Sequence, residues 1–167
     1  MNIILKSTIH TLNKSKALIE SLSDDVLSNH SVPPYHSCIG SHIRHILDFY
    51  DCIINGISKL SIDLTDRKRD LRMHEDCNYA LENLQRIIVN LETLNDMPMH
   101  AKLVVNDDLG LGTTNIEYTL GALLAQANSH AIHHYAIINY ILDYLGIKLE
   151  DGTFGFNPTT PQQKEVS

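Results

Sequence analysis

The chain has 167 residues, 43% apolar and 20% charged, which suits one globular domain and excludes wholesale disorder. Its 20 acidic residues outnumber the 13 basic ones, and a net charge of −7 works against general binding to nucleic-acid phosphates. No apolar run approaches the ~20 residues of a membrane-spanning helix, and Ile3-Ile4-Leu5 is too short for a secretory signal, so a soluble, cytoplasmic protein is expected, with no nucleic-acid and no membrane partner.

The apolar spacing predicts four long helices. Leu5, Ile9, Leu12, Ile19 and Leu22 recur at helical spacing over about residues 2–22. Asp24-Asp25 and Pro33-Pro34 mark a break from Ser23 to Tyr35. Ile39, Ile43, Ile46, Tyr50, Ile53 and Ile57 form the stripe of a second helix over about 37–59. A polar stretch from Ser61 to Arg69 follows. Its short basic run Arg67-Lys68-Arg69 is flanked by Asp66 and Asp70 and reads as a solvated loop end. The third helix is expected over about 70–95, with Cys77, Leu84, Ile88 and Leu91 on its apolar side.

Residues 96–113 lose the helical pattern. Leu103-Val104-Val105 and the following Asn106-Asp107-Asp108-Leu109-Gly110 read as a short strand and turn. Gly110 and Gly112 lack the third glycine and the βαβ setting of a dinucleotide loop. Thr114-x-x-Glu117 matches a capping box, so the fourth helix is expected from there to about Leu145, stopping at Gly146. The expected fold is therefore all-α, an up-down-up-down four-helix bundle with a short β-hairpin or an irregular loop at about 100–112. Residues 147–167 read as a polar C-terminal tail, packed on the bundle or trailing from it.

Three cysteines, Cys38, Cys52 and Cys77, form no CxxC pair and read as reduced thiols. The chain is richer in histidine, with ten. His130 and His134 sit four apart on the fourth helix's apolar stripe, so both lie on one inward face. Two neutral imidazoles one turn apart in a core both need partners, and one shared metal ion satisfies both. The residue after His130 is Ala131, so the glutamate base of an HExxH site is missing. A third ligand is available on the second helix, where His42 and His45 both lie at the stripe's margin and spacing does not choose between them. Asp48 follows His45 by three and is placed to orient a ligand. His133 lies one step round the helix from the pair.

His42-Ile43-Arg44-His45-Ile46-Leu47-Asp48 and Ser129-His130-Ala131-Ile132-His133-His134-Tyr135-Ala136 together resemble the DinB-like (DinB/YfiT) superfamily of metal-dependent enzymes. The stretch Asp66–Asp70 and the later Glu75-Asp76 resemble a subgroup of it. The resemblance spans about residues 5–145 and implies a four-helix bundle over 1–146 with one divalent metal. It assigns the ligands as His45, the histidine before Ile46-Leu47-Asp48, with His130 and His134. It also implies a homodimer paired through helix faces. Related members include thiol-dependent S-transferases, a thiol-dependent isomerase and domains of sulfur-transfer enzymes. This chain lacks any added substrate domain of the better-known enzymes, so their substrates do not carry over.

Imidazole donors suit zinc, nickel, copper or iron. The expected cofactor is one divalent ion, zinc or nickel first and iron or manganese next. Three neutral ligands leave the ion its positive charge, which activates a bound water or thiol for hydrolysis or thiol S-transfer. The substrate class is a small molecule, with a low-molecular-weight thiol as one candidate. Candidate assistants are Arg44 for an anionic group, and His42 or His133 for proton movement. Cys38 near His36 is a weaker nucleophile candidate. The alternative reading is a non-catalytic metal-binding or stress-associated helical interaction protein.

Overall fold

A computed structural model describes residues 1–161, so residues 162–167 of the expected tail lie outside the described residues. The chain runs α1 (Ile3–Glu20), α2 (Asp24–Leu27), α3 (Ile39–Gly56), β1 (Ser61–Asp63), α4 (Cys77–Glu92), β2 (Lys102–Asp108), β3 (Thr113–Thr119) and α5 (Leu120–Tyr144). Short 3-10 turns cover Ile57–Lys59, Leu71–His74 and Thr93–Asp96.

This overturns the all-α four-helix bundle. Among the described residues there are five α-helices and a three-stranded mixed sheet in the order β1-β2-β3. β1 pairs parallel to β2, with Ser61 opposite Val104 and Asp63 opposite Asn106. β2 pairs antiparallel to β3, from Lys102 opposite Thr119 to Asp108 opposite Thr113.

The reasons are local. Thr114 and Glu117 cap no helix; both lie in β3, where Thr113, Thr114 and Ile116 favour extended backbone and β2 supplies the ladder. The helix begins five residues later, where Thr119 Oγ1 accepts from the Ala122 N–H at 3.2 Å. Gly110 and Gly112, at φ 93° and 118°, form the β2–β3 turn. The expected third helix is also shortened. Asp70 caps the Leu71–His74 turn and Asp76 caps α4, accepting from Tyr79 N–H at 2.9 Å. β1 was hidden in the polar stretch after α3. Buried Ile62 and Leu64 alternate with exposed Ser61, Asp63 and Thr65 there, a period of two over too few residues to stand out.

One core unites these elements. Leu5 and Leu12 of α1, Ile39, Ile43 and Ile53 of α3, Leu91 of α4, Leu103 and Val105 of β2, and Leu123 and Ile138 of α5 are all buried in it. Inside it Tyr135 of α5 donates its hydroxyl to Thr11 O at 2.9 Å and meets Ser15 Oγ at 2.5 Å, fixing the rotation of α5 against α1. Residues after α5 fold back on that pair: Phe154 stacks on Tyr135 at 4.8 Å, and Lys14 binds Asp151 at 3.1 Å. Among the described residues, no helix is long and apolar enough to cross a membrane.

Candidate metal centre

α3 and α5 face one another through histidines. The stripe of Ile39, Ile43 and Ile46 seats α3 on the core, which turns His42 and His45 to its margin, half-buried. On α5, Leu123, Leu124, Ala127 and Ala131 seat the helix, and His130 and His134 face α3 one turn apart. The imidazoles of His45, His130 and His134 converge, each offering a nitrogen within 4.8 Å of the others. Their ring centroids stand 4.6 to 4.9 Å apart. Imidazole–metal bonds are about 2.0–2.1 Å, so modest ring rotation brings all three nitrogens onto one ion.

The donor chemistry fits a cation. His130 Nε2 is buried and has no hydrogen-bond partner among the described residues, a cost that a coordinated ion removes. Burial, then the neighbouring His130 and the Arg67 and Arg44 guanidiniums, pulls His45 down to about 4. Burial and the surrounding histidines pull His134 down to about 3. His130 is lowered by burial, Arg67 and His133, with Asp107 acting in the opposite direction. All three rings are therefore neutral at pH 7 and carry a free lone pair.

The chain matches no protein-family model and no curated protein.

His42 lies next to this cluster, outside it. Its Nδ1 is 2.9 Å from Nδ1 of His134, and its Nε2 is 2.8 Å from Ser37 Oγ. With the proton on His134 Nδ1, that N–H donates to His42, His42 Nε2–H donates to Ser37, and His134 Nε2 keeps its lone pair for an ion. His133 is exposed, its ring 5.4 Å from that of His134, and it stands outside the triad. Asp48 reaches no ring. Buried at 2% exposure, it pairs with Arg44, 3.4 Å from Nη1 to Oδ2, and thereby also occupies Arg44. Cys38 is buried as the cap of α3, its Sγ accepting from Ser41 N–H at 3.3 Å. His36 turns away from it and pairs through Nδ1 with His30 O at 3.1 Å.

Two neighbours escaped the sequence reading. Phe49 packs against His130, ring centroids 5.3 Å apart, and walls the centre from the core side. Its spacing of four from His45 on α3 was a usable signal. Arg67, read as a solvated loop end, instead lies over the centre, with Nη1 3.3 Å from His45 Nδ1 and Nε donating to Leu64 O at 2.8 Å. The alternation Ile62-Asp63-Leu64 drew the loop back onto α3, and three residues carry that signal weakly.

Beyond Arg67 lies an open cleft of about 370 Å³, lined by Leu64, Thr65, Arg69, Asp107 and Asp108 among others. A larger cavity, about 600 Å³, lies between the end of α5 and the segment after it, and none of the three histidines lines either space.

Proposed function

We propose that the protein is a divalent-metal-dependent enzyme of the DinB-like superfamily, with the ion held by His45, His130 and His134. The observation that carries this is the convergence of three neutral imidazoles around a buried, unpartnered His130 Nε2. When bound, a divalent ion supplies the charge that makes a water or thiol nucleophilic near neutral pH. Zinc or nickel suits three imidazoles best, and three protein ligands leave an open position of the catalytic kind.

The chain's own residues supply the rest. His42 and Ser37 hold the tautomer of His134 and give its proton a hydrogen-bonded route away from the centre. Phe49 keeps water off the core side of His130. Hydrolysis and thiol S-transfer both fit this arrangement.

The test is metal content by plasma mass spectrometry on tag-free protein purified without added metal. The expected result is about one ion per chain, lost in a His130→Ala/His134→Ala variant that keeps its helical spectrum. A chain that carries no metal and binds neither added zinc nor nickel overturns the reading. The helical interaction protein then becomes the better account.

A further inference from the structure

The sheet ends on two unlike edges. β1 is three residues long and lies against the end of α3, where a Cβ on Gly56 would stand 2.3 Å from Ser61 O. β3 is seven residues long, and no strand lies beyond it among the described residues. The register shows which of its backbone groups are free. Leu120 N–H donates to Ala101 O at 2.9 Å, so the hydrogen-bonded pairs alternate from there through Tyr118, Ile116 and Thr114. The β2 residues between turn to β1 instead: Val104 N–H donates to Leu60 O at 3.0 Å, and Asn106 O accepts from Leu64 N–H at 2.9 Å. Their opposites on β3, Glu117 and Asn115, therefore point N–H and C=O away from the sheet, and among the described residues no hydrogen bond reaches those groups.

Such an edge is a template for another strand, and proteins blunt theirs with proline, lysine, a bulge or a covering element. Residues 113–119 contain no proline and no lysine, and Glu117 is their one charge. Their register with β2 contains no bulge. The core side of the edge is also unfinished. Ile116 and Tyr118 stay half-buried, whereas Val105 and Leu103 opposite them on β2 are buried.

The strand is complementary to itself. When it runs antiparallel to a second β3 across a two-fold axis, the register centred on Ile116 pairs its whole length, with Thr113 opposite Thr119 and Asn115 opposite Glu117. Outward groups then meet outward groups, so Asn115 and Glu117 of the two copies exchange both hydrogen bonds. Glu117 faces a neutral amide, whereas a register centred on Glu117 would set two carboxylates face to face. Ile116 meets its own copy on the core side, at the close spacing of a non-hydrogen-bonded pair. The hairpin tip, with Leu109 and Leu111 exposed, comes up to the end of the second copy's β3.

We propose that the β3 edge is an interface with a second copy of this chain, joining two three-stranded sheets into one continuous sheet. The contact is made by backbone and leaves the helix faces free. It does not depend on the metal reading.

The experiment is sedimentation velocity over a dilution series of the full chain, with hydrogen exchange on the same samples. A reversible monomer–dimer equilibrium is expected, and protection of the Asn115 and Glu117 N–H groups should rise with concentration. Asn115→Glu sets a carboxylate opposite Glu117 and is expected to weaken the dimer about fivefold; Asn115→Lys is expected to tighten it about as much. Asn115→Lys/Glu117→Lys sets lysine opposite lysine, so the dimer should weaken although the net charge moves toward zero. Asn115→Pro removes an outward donor, spares the β2 ladder and is expected to leave a monomer with the native helical spectrum. If that variant fails to fold, the three charge variants decide. A native chain that is monomeric at every concentration overturns the inference. So does a dimer of equal affinity in the charge variants, which pairs elsewhere, as through helix faces.

Discussion

Tyr135 follows His134 in sequence, and its hydroxyl is the polar anchor between α5 and α1. It is fully buried, donates to Thr11 O and meets Ser15 Oγ, and burial pushes its ionisation far above the ordinary tyrosine range. Tyr135→Phe keeps the ring on Phe154 and strips both hydrogen bonds, leaving the buried Ser15 hydroxyl without the phenol while Thr11 O keeps its helical bond. A loss of about 1–3 kcal/mol is expected, read as a lower urea midpoint at unchanged slope. The same substitution frees α5 to rotate, so zinc affinity is expected to fall with stability, although Tyr135 touches no ion. An unchanged midpoint would show that packing alone orients the helix.

Close backbone approach holds β1 against the end of α3. A Cβ on Gly56 would stand 2.3 Å from Ser61 O and 2.9 Å from Ile62 Cα, because β1 turns back directly against the end of α3. Backbone cannot give way as a side-chain tip does. Gly56→Ala is therefore expected to destabilise by about 1–3 kcal/mol, partly offset by the better helix propensity of alanine. Hydrogen exchange checks where the damage falls. Protection should drop at Val104 and Leu64, whose N–H groups donate to Leu60 O and Asn106 O across the β1–β2 seam.

The bodies of α1, α3 and α5 were legible because their apolar stripes run for several turns. The sheet was not, because β1 has three residues and β3 carries a threonine and a glutamate at capping-box spacing. His130 and His134 were legible as an inward pair. Helical geometry alone left His42 and His45 level. Both rings reach α5, but His45 meets His130 and His134 together whereas His42 meets His134 from the side, a difference that a helical wheel does not contain. Arg67 was hidden for a related reason: its position depends on a strand pairing with residues far along the chain.

For the whole molecule, the buried histidines set a pH dependence. His45 is held to about 4 and His134 to about 3, whereas an exposed histidine titrates near 6.5. Below about pH 6.5 the unfolded chain binds protons that the folded chain refuses, so stability falls as pH falls. The metal-free protein is expected to keep its full stability above about pH 6.5 and to lose it progressively through about pH 4. Thermal unfolding followed by circular dichroism between those limits checks this. Replacing His45 and His134 with glutamine should flatten the slope, and saturating zinc should raise the melting temperature at neutral pH.

The three candidate ligands come from α3 and α5, with β1, α4 and the whole hairpin lying between them in the chain. On a ribosome, His45 emerges long before His130 and His134, and it must wait for both. On the proposed metal reading, the ligand set is incomplete until α5 has emerged, so the ion cannot nucleate the elements that precede that helix. On that reading, chain made while the ion is scarce folds first and loads later, with no need for a fresh round of translation.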